Sequence, residues 1–208
     1  IHIPHFGKGG FHNVHMMIGA PGTAKTTIAK LMGNIMKEQK LLKDNKFIAI
    51  NGADLKGMFV GHSAPKTKAY FDKYDIILID EAYSMATGND MDSFSEEAIA
   101  QLIIELEKHG MDKLVIFAGY GGKDVSAKDN KMLQFLNANP GIRSRINSTI
   151  YFESYNPKQM VDIVYRQAKN GNFKLAPEAE QLIYDYFETR YQLPDSPKIR
   201  TQSPSLAV

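Results

Sequence analysis

Three groups of residues have the types and spacing to do chemistry together. They are the run Gly19-Ala20-Pro21-Gly22-Thr23-Ala24-Lys25-Thr26-Thr27, the adjacent carboxylates Asp80 and Glu81, and the arginines Arg143 and Arg145. The run sits between an apolar segment, Val14–Ile18, and a segment with apolar residues at helical spacing, Thr27–Met36. Strand, glycine-containing loop, Lys-Thr and helix together form the context that a phosphate-binding loop requires. Backbone N–H groups of the loop and of the new helix converge on an anion, and the helix dipole adds partial positive charge. Lys25 is expected to reach the β- and γ-phosphates of ATP, and the Thr26 hydroxyl to ligate Mg²⁺. Ala24 stands where glycine ordinarily precedes the lysine. Because this residue opens a helix, a right-handed backbone is expected there and alanine should be tolerated.

Asp80 and Glu81 close the apolar run Ile76–Ile79. A continuous apolar run reads as a strand covered on both faces, and its C-terminal end lies on the edge where α/β sheets bind ligands. Asp80 fits a second holder of Mg²⁺. Glu81 fits a group that polarises an attacking water, which favours hydrolysis over transfer to a substrate hydroxyl. Arg143 and Arg145 read either as surface arginines or as a source of charge on the γ-phosphate, from the same chain or from a neighbour.

These residues need a scaffold, and the remaining pattern supplies one. Phe47–Ile50 and Leu114–Ala118 read as further buried strands, and Thr149–Phe152 as a fifth strand. Between them lie a charged, solvated turn over Lys37–Lys46 and a helix near Pro65 that runs to about Tyr74. A helix with capping-box spacing at Ser93 and Glu96 follows, and then a short one over Lys131–Asn137. Five strands alternating with helices predict a doubly wound parallel sheet. Asn156-Pro157 and Pro177 open two further helices, a partial helical lid. The predicted organisation is a flexible segment 1–13, an α/β nucleotide-binding domain 14–154, a partial lid 155–192 and a disordered tail 193–208.

Composition narrows the class. The chain has 208 residues, 25 basic and 23 acidic, for a formal net charge of +2, so no polyanion-binding surface is implied and a nucleic-acid partner is not suggested. It has no cysteine, which excludes disulfides and thiolate metal sites. No apolar stretch reaches membrane-spanning length and no signal peptide is evident, so a cytoplasmic location is expected. His2, His5, His12 and His15 lack accompanying carboxylates and are not expected to hold a metal. The start at Ile1 suggests a fragment.

The motifs taken together resemble the AAA+ ATPases, in the branch that holds red-type Rubisco activase (CbbX) and stage V sporulation protein K. The resemblance rests on Gly19–Thr27, on Ala53-Asp-Leu55 and Phe59–Lys68 with its Ala-Pro-Lys-Thr-Lys segment, on Ile79–Tyr83, on Ala118–Tyr120 and on Asn139–Arg145. It implies a P-loop NTPase fold of the AAA+ type and a ring-shaped homo-oligomer, a hexamer. Phe59-Val60-Gly61 would be a pore loop gripping a polypeptide, and Arg145 a finger acting on a neighbour's ATP, with Arg143 beside it. Tyr120 falls where most AAA+ proteins carry a polar sensor residue. The helix that usually precedes the first strand and the sensor-2 lid helix are missing from this sequence, so weak nucleotide binding and poor assembly are expected. Mg-dependent ATP hydrolysis driving protein remodelling is the leading reading. Its rivals are a nucleic-acid motor or loader and a nucleotide-switched scaffold with weak hydrolysis.

Overall fold

The computed structural model describes residues 13–56, 62–86, 93–121 and 129–191. Segment 1–12, the expected pore loop Phe59-Val60-Gly61 and tail 193–208 lie outside the described residues. The chain divides into two compact units. One is built on residues up to 19 together with 24–152, the other on residues 20–23 and from 153 onward.

In the first unit, five strands form one parallel sheet: β1 (Val14–Gly19), β2 (Phe47–Asn51), β3 (Ile76–Asp80), β4 (Leu114–Gly119) and β5 (Ser148–Phe152). Their spatial order is β2-β3-β4-β1-β5. The central strands β1 and β4 are buried along their whole length, as the continuous apolar runs require, whereas β2 and β5 are edges and partly exposed. Side chains alternate between two cores. Met16, Ile18, Ile77, Ile79, Val115 and Phe117 face one, and Met17, Ile76, Leu78, Ile116 and Ala118 face the other.

Helix α1 (Lys25–Glu38) covers the second core with Ala29, Met32 and Met36. Helices α2 (Ser63–Lys73), α3 (Ser93–His109) and α4 (Lys131–Ala138) cover the first with Phe71, Ala98, Leu102, Leu106, Met132 and Phe135. Helices on both faces make this the doubly wound arrangement that the pattern predicts. A single turn, α5 (Pro140–Arg143), leads to Arg145 and β5. It is fixed by Ile142, which is fully buried, and by buried Asn139, whose Nδ2 donates to the Phe135 carbonyl at 2.7 Å.

Several local details differ from the sequence reading. Helix α1 runs through Glu38, and Leu42 is buried beneath it, so the charged stretch after the helix is not wholly solvated. Two 3-10 turns, Gly52–Leu55 after β2 and Ala82–Ala86 after β3, carry no 3.6-residue periodicity and were not expected.

The second unit contains α6 (Pro157–Asn170) and α7 (Ala179–Tyr191). Helix α6 opens as its sequence dictates. The Asn156 side chain accepts from the Gln159 N–H, the Gln159 side chain accepts from the Asn156 N–H, and Pro157 takes the first turn. Helix α7 contains no buried residue. No helix among the described residues is long and apolar enough to cross a membrane.

Candidate nucleotide-binding site

The chain leaves β1 at Gly19 and re-enters regular structure at Lys25, the first residue of α1. Thr23 is buried, and its hydroxyl donates to the Ala20 carbonyl at 2.8 Å, closing the turn. Gly22 takes φ 79°, a conformation glycine adopts without steric cost. Ala24 also lies in the left-handed region, at φ 67° and ψ 22°. This corrects the expectation of a right-handed backbone. Ala24 is the cap of α1 rather than its first helical residue, and the caps of helices do not share helical dihedrals. Its methyl group therefore carries strain of roughly 1–2 kcal/mol.

Helix α1 starts with no side-chain cap and no acidic residue in its first turn, so the field at its N-terminus is positive and uncompensated by the helix itself. Lys25 donates from Nζ to the Gly19 carbonyl at 3.0 Å. Burial pulls its ammonium pKa below the ordinary lysine value, and the charge of Asp80 partly opposes that. The loop lysine and the carboxylate closing β3 are thus brought into one electrostatic environment. Thr26 and Thr27 are exposed on the first turn of α1.

Glu81 follows Asp80 with φ 47°, a second left-handed non-glycine residue at this edge of the sheet. Its conformation is stabilised locally. The Glu81 N–H donates to Asp80 Oδ1 at 3.0 Å, and the Ser84 N–H donates to the Glu81 carbonyl at 2.7 Å. The turn directs the Glu81 carboxylate to Asn51, whose Nδ2 donates to Glu81 Oε2 at 3.2 Å. Asn51 ends β2, in register with Asp80 on β3, and is itself tied down. Its Oδ1 accepts from the Ala53 N–H at 3.0 Å and from Ser84 Oγ at 2.9 Å, and its own N–H donates to Asp54 Oδ2 at 3.1 Å. Sequence reading missed Asn51. The signal was its place at the end of a strand, where the neighbouring strand carries the carboxylates. Tyr83 completes the cluster. Burial, then the charge and hydrogen bonding of Glu81, raise its hydroxyl pKa, and the Lys131 ammonium lies 5.2 Å from its ring centroid.

Tyr120 follows β4 and is 47% exposed. Arg145 bonds Glu107 of α3, and Arg143 bonds Asn137 of α4, and neither partner belongs to the phosphate loop.

The sequence profile of the ATPase family associated with various cellular activities (AAA) matches residues 15–136, which span the loop, Asn51, Asp80, Glu81 and Tyr120. The chain belongs to the AAA family. It is 37% identical over 185 residues to stage V sporulation protein K of Bacillus subtilis, covering 88% of this chain and 55% of that protein. It is 33% identical over 184 residues to the chloroplastic ribulose bisphosphate carboxylase/oxygenase activase of Cyanidioschyzon merolae, covering 87% and 60%. It is 32% identical over 184 residues to protein CbbX of Cereibacter sphaeroides, covering 87% and 57%. The chain therefore spans little more than half the length of these relatives. The fold is similar to the FIGL-1 AAA domain in complex with ADP, with a TM-score of 0.55 at 18% identity, covering 86% of this chain and 56% of that one.

Proposed function

We propose that this AAA chain is the ATP-hydrolysing part of a ring-forming machine, a hexamer, that remodels a polypeptide. The observation that carries the reading is the cluster of Lys25, Asp80, Glu81 and Asn51 at one edge of the sheet. Lys25 exchanges the Gly19 carbonyl for phosphate oxygens, a charge-assisted bond in place of a neutral one. The N–H groups opening α1 orient the phosphates. Thr26 and Asp80 are the residues that would hold Mg²⁺, which when bound neutralises charge on the phosphates. Glu81 accepts the proton of the attacking water, and Asn51 fixes where its carboxylate sits until then.

Relatives in this family carry names of a sporulation protein and of Rubisco activases, and the motor reading extends that likeness to this chain. Arg145 is proposed as the finger that stabilises a neighbour's γ-phosphate, Phe59-Val60-Gly61 as the polypeptide contact, and Tyr120 as the residue that senses the nucleotide. The strain at Ala24 favours a second reading, a nucleotide-switched scaffold with weak hydrolysis. One pair of measurements decides. Wild-type protein should hydrolyse ATP, and Glu81→Gln should bind ATP with the same affinity yet lose hydrolysis, because an amide is no base. Absence of wild-type turnover establishes the scaffold. Undiminished turnover in Glu81→Gln removes Glu81 from its role.

A further inference from the structure

Arg145 is held by its own chain at both ends of its guanidinium. Nη1 donates to the Gly141 carbonyl at 2.7 Å, and Nη2 pairs with Glu107 Oε2 at 3.0 Å. Its side chain is only 21% exposed, whereas Glu107 is 71% exposed. The backbone that carries it has little freedom. The Arg145 N–H donates to the carbonyl of buried Ile142 at 3.0 Å, and Ser144 and Arg143 bond the carbonyls of Pro140 and Asn139. Gly141 lies so close to α3 that a Cβ there would stand 2.7 Å from Ile103 Cδ1. Ile103 and Glu107 are one helical turn apart on the same face of α3. One stripe of α3 thus sets both anchors of Arg145, the Gly141 carbonyl through packing and the carboxylate directly. An arginine presented to a neighbouring subunit would project from the surface; this one is folded back.

We propose that Glu107 is a latch on Arg145, holding it against its own chain until the phosphate of a neighbouring subunit competes for it. The proposal rests on the reading of Arg145 as an intersubunit finger. Competition works because the two partners are unequal. Glu107 is exposed, so water and salt screen its attraction, and such pairs contribute between nothing and about 1 kcal/mol. A phosphate in a closed interface carries more charge and accepts two parallel N–H bonds from guanidinium in a drier environment. The isolated chain therefore stows its arginine, and the assembled ring draws it out. Glu107 acts through Arg145 and is a positioning residue.

The experiment compares ATP turnover per chain for the full-length protein across a protein-concentration series, for wild type, Glu107→Gln, Glu107→Asp, Arg145→Ala and the Glu107→Gln/Arg145→Ala double variant. Without the latch, Glu107→Gln should raise turnover at low protein concentration two- to fivefold, the fold-change that corresponds to at most about 1 kcal/mol. It should also lower the concentration of half-maximal turnover, with the KM for ATP within twofold of wild type. Glu107→Asp keeps the charge and should stay near wild type. Arg145→Ala and the double variant should be equally inactive, since without the arginine the carboxylate has nothing to hold. If Glu107→Gln matches or falls below wild type while Arg145→Ala is inactive, the latch is refuted and the finger stands. If Arg145→Ala turns over normally, the finger falls and the latch with it.

Discussion

At the scale of single residues, the candidate site is held in conformations that side chains other than glycine avoid. Ala24 and Glu81 both have positive φ, and both lie where the phosphates and the water of hydrolysis are expected. Glu81 recovers its cost through hydrogen bonds to Asp80 and Ser84, whereas Ala24 has no side-chain cap bond to offset its own. The sign of one substitution tests this. With a left-handed backbone, Ala24→Gly relieves the strain on the methyl group, partly offset by the greater freedom glycine gives the unfolded chain. The net stabilisation should be about 1 kcal/mol, or roughly 2–4 °C in a chain of this size, with a change in nucleotide affinity of less than about tenfold. A right-handed Ala24 predicts the opposite sign, a loss of about 1 kcal/mol from placing glycine in a helix. Thermal melts of the two proteins decide between them.

At the scale of elements, β1 contributes more than a support for the loop. His15 is fully buried on it and hydrogen-bonds Ser148, its register partner on β5, with 2.8 Å between Nδ1 and Oγ. Burial lowers its pKa from 6.5 to about 4, because the charged imidazolium is poorly solvated there. Below pH 6.5 the unfolded chain takes up a proton that the folded one refuses, so this stabilisation is lost as the pH falls from about 6.5 to about 4. The full loss amounts to roughly 3 kcal/mol. His15→Gln keeps a partner for Ser148 and cannot titrate. Chemical denaturation between pH 7 and pH 4.5 should show a shallower decline for the variant, and parallel curves would mean that His15 is not the titrating group. The same elements show what was legible in the sequence. All five strands follow from the sequence pattern, although β2, read as buried, is a partly exposed edge. Lys25, Asp80 and Glu81 are site candidates through their places at the start of α1 and the end of β3. The bonds that tie Asn51 to Glu81 and Ser84 were not legible, because they join segments distant in sequence. The 3-10 turns are too short to carry a period, and Ala24 caps α1 instead of lying in it. Asn51 and Glu81 meet only because β2 and β3 pair in register.

At the scale of the whole molecule, the order β2-β3-β4-β1-β5 puts the first strand between the last two. Val14 pairs with Val115, and His15 with Ser148, so both neighbours of β1 lie about a hundred residues or more along the chain. The consequence concerns how the protein is made. Chains emerge at roughly 5–20 residues per second, so β1, buried along its whole length in the folded protein, waits on the order of 5–20 s before β4 exists to pair with it. During that interval β2 and β3 can pair, yet the phosphate loop has no floor and an unsatisfied strand is open to wrong partners. Chains truncated after Lys113 should leave Val14–Gly19 accessible to protease and aggregate readily, whereas chains truncated after Glu153 should protect it. Protection already present in the shorter chain would show that β1 finds another place to rest. The candidate phosphate loop is thus synthesised well before the strands that hold it in place.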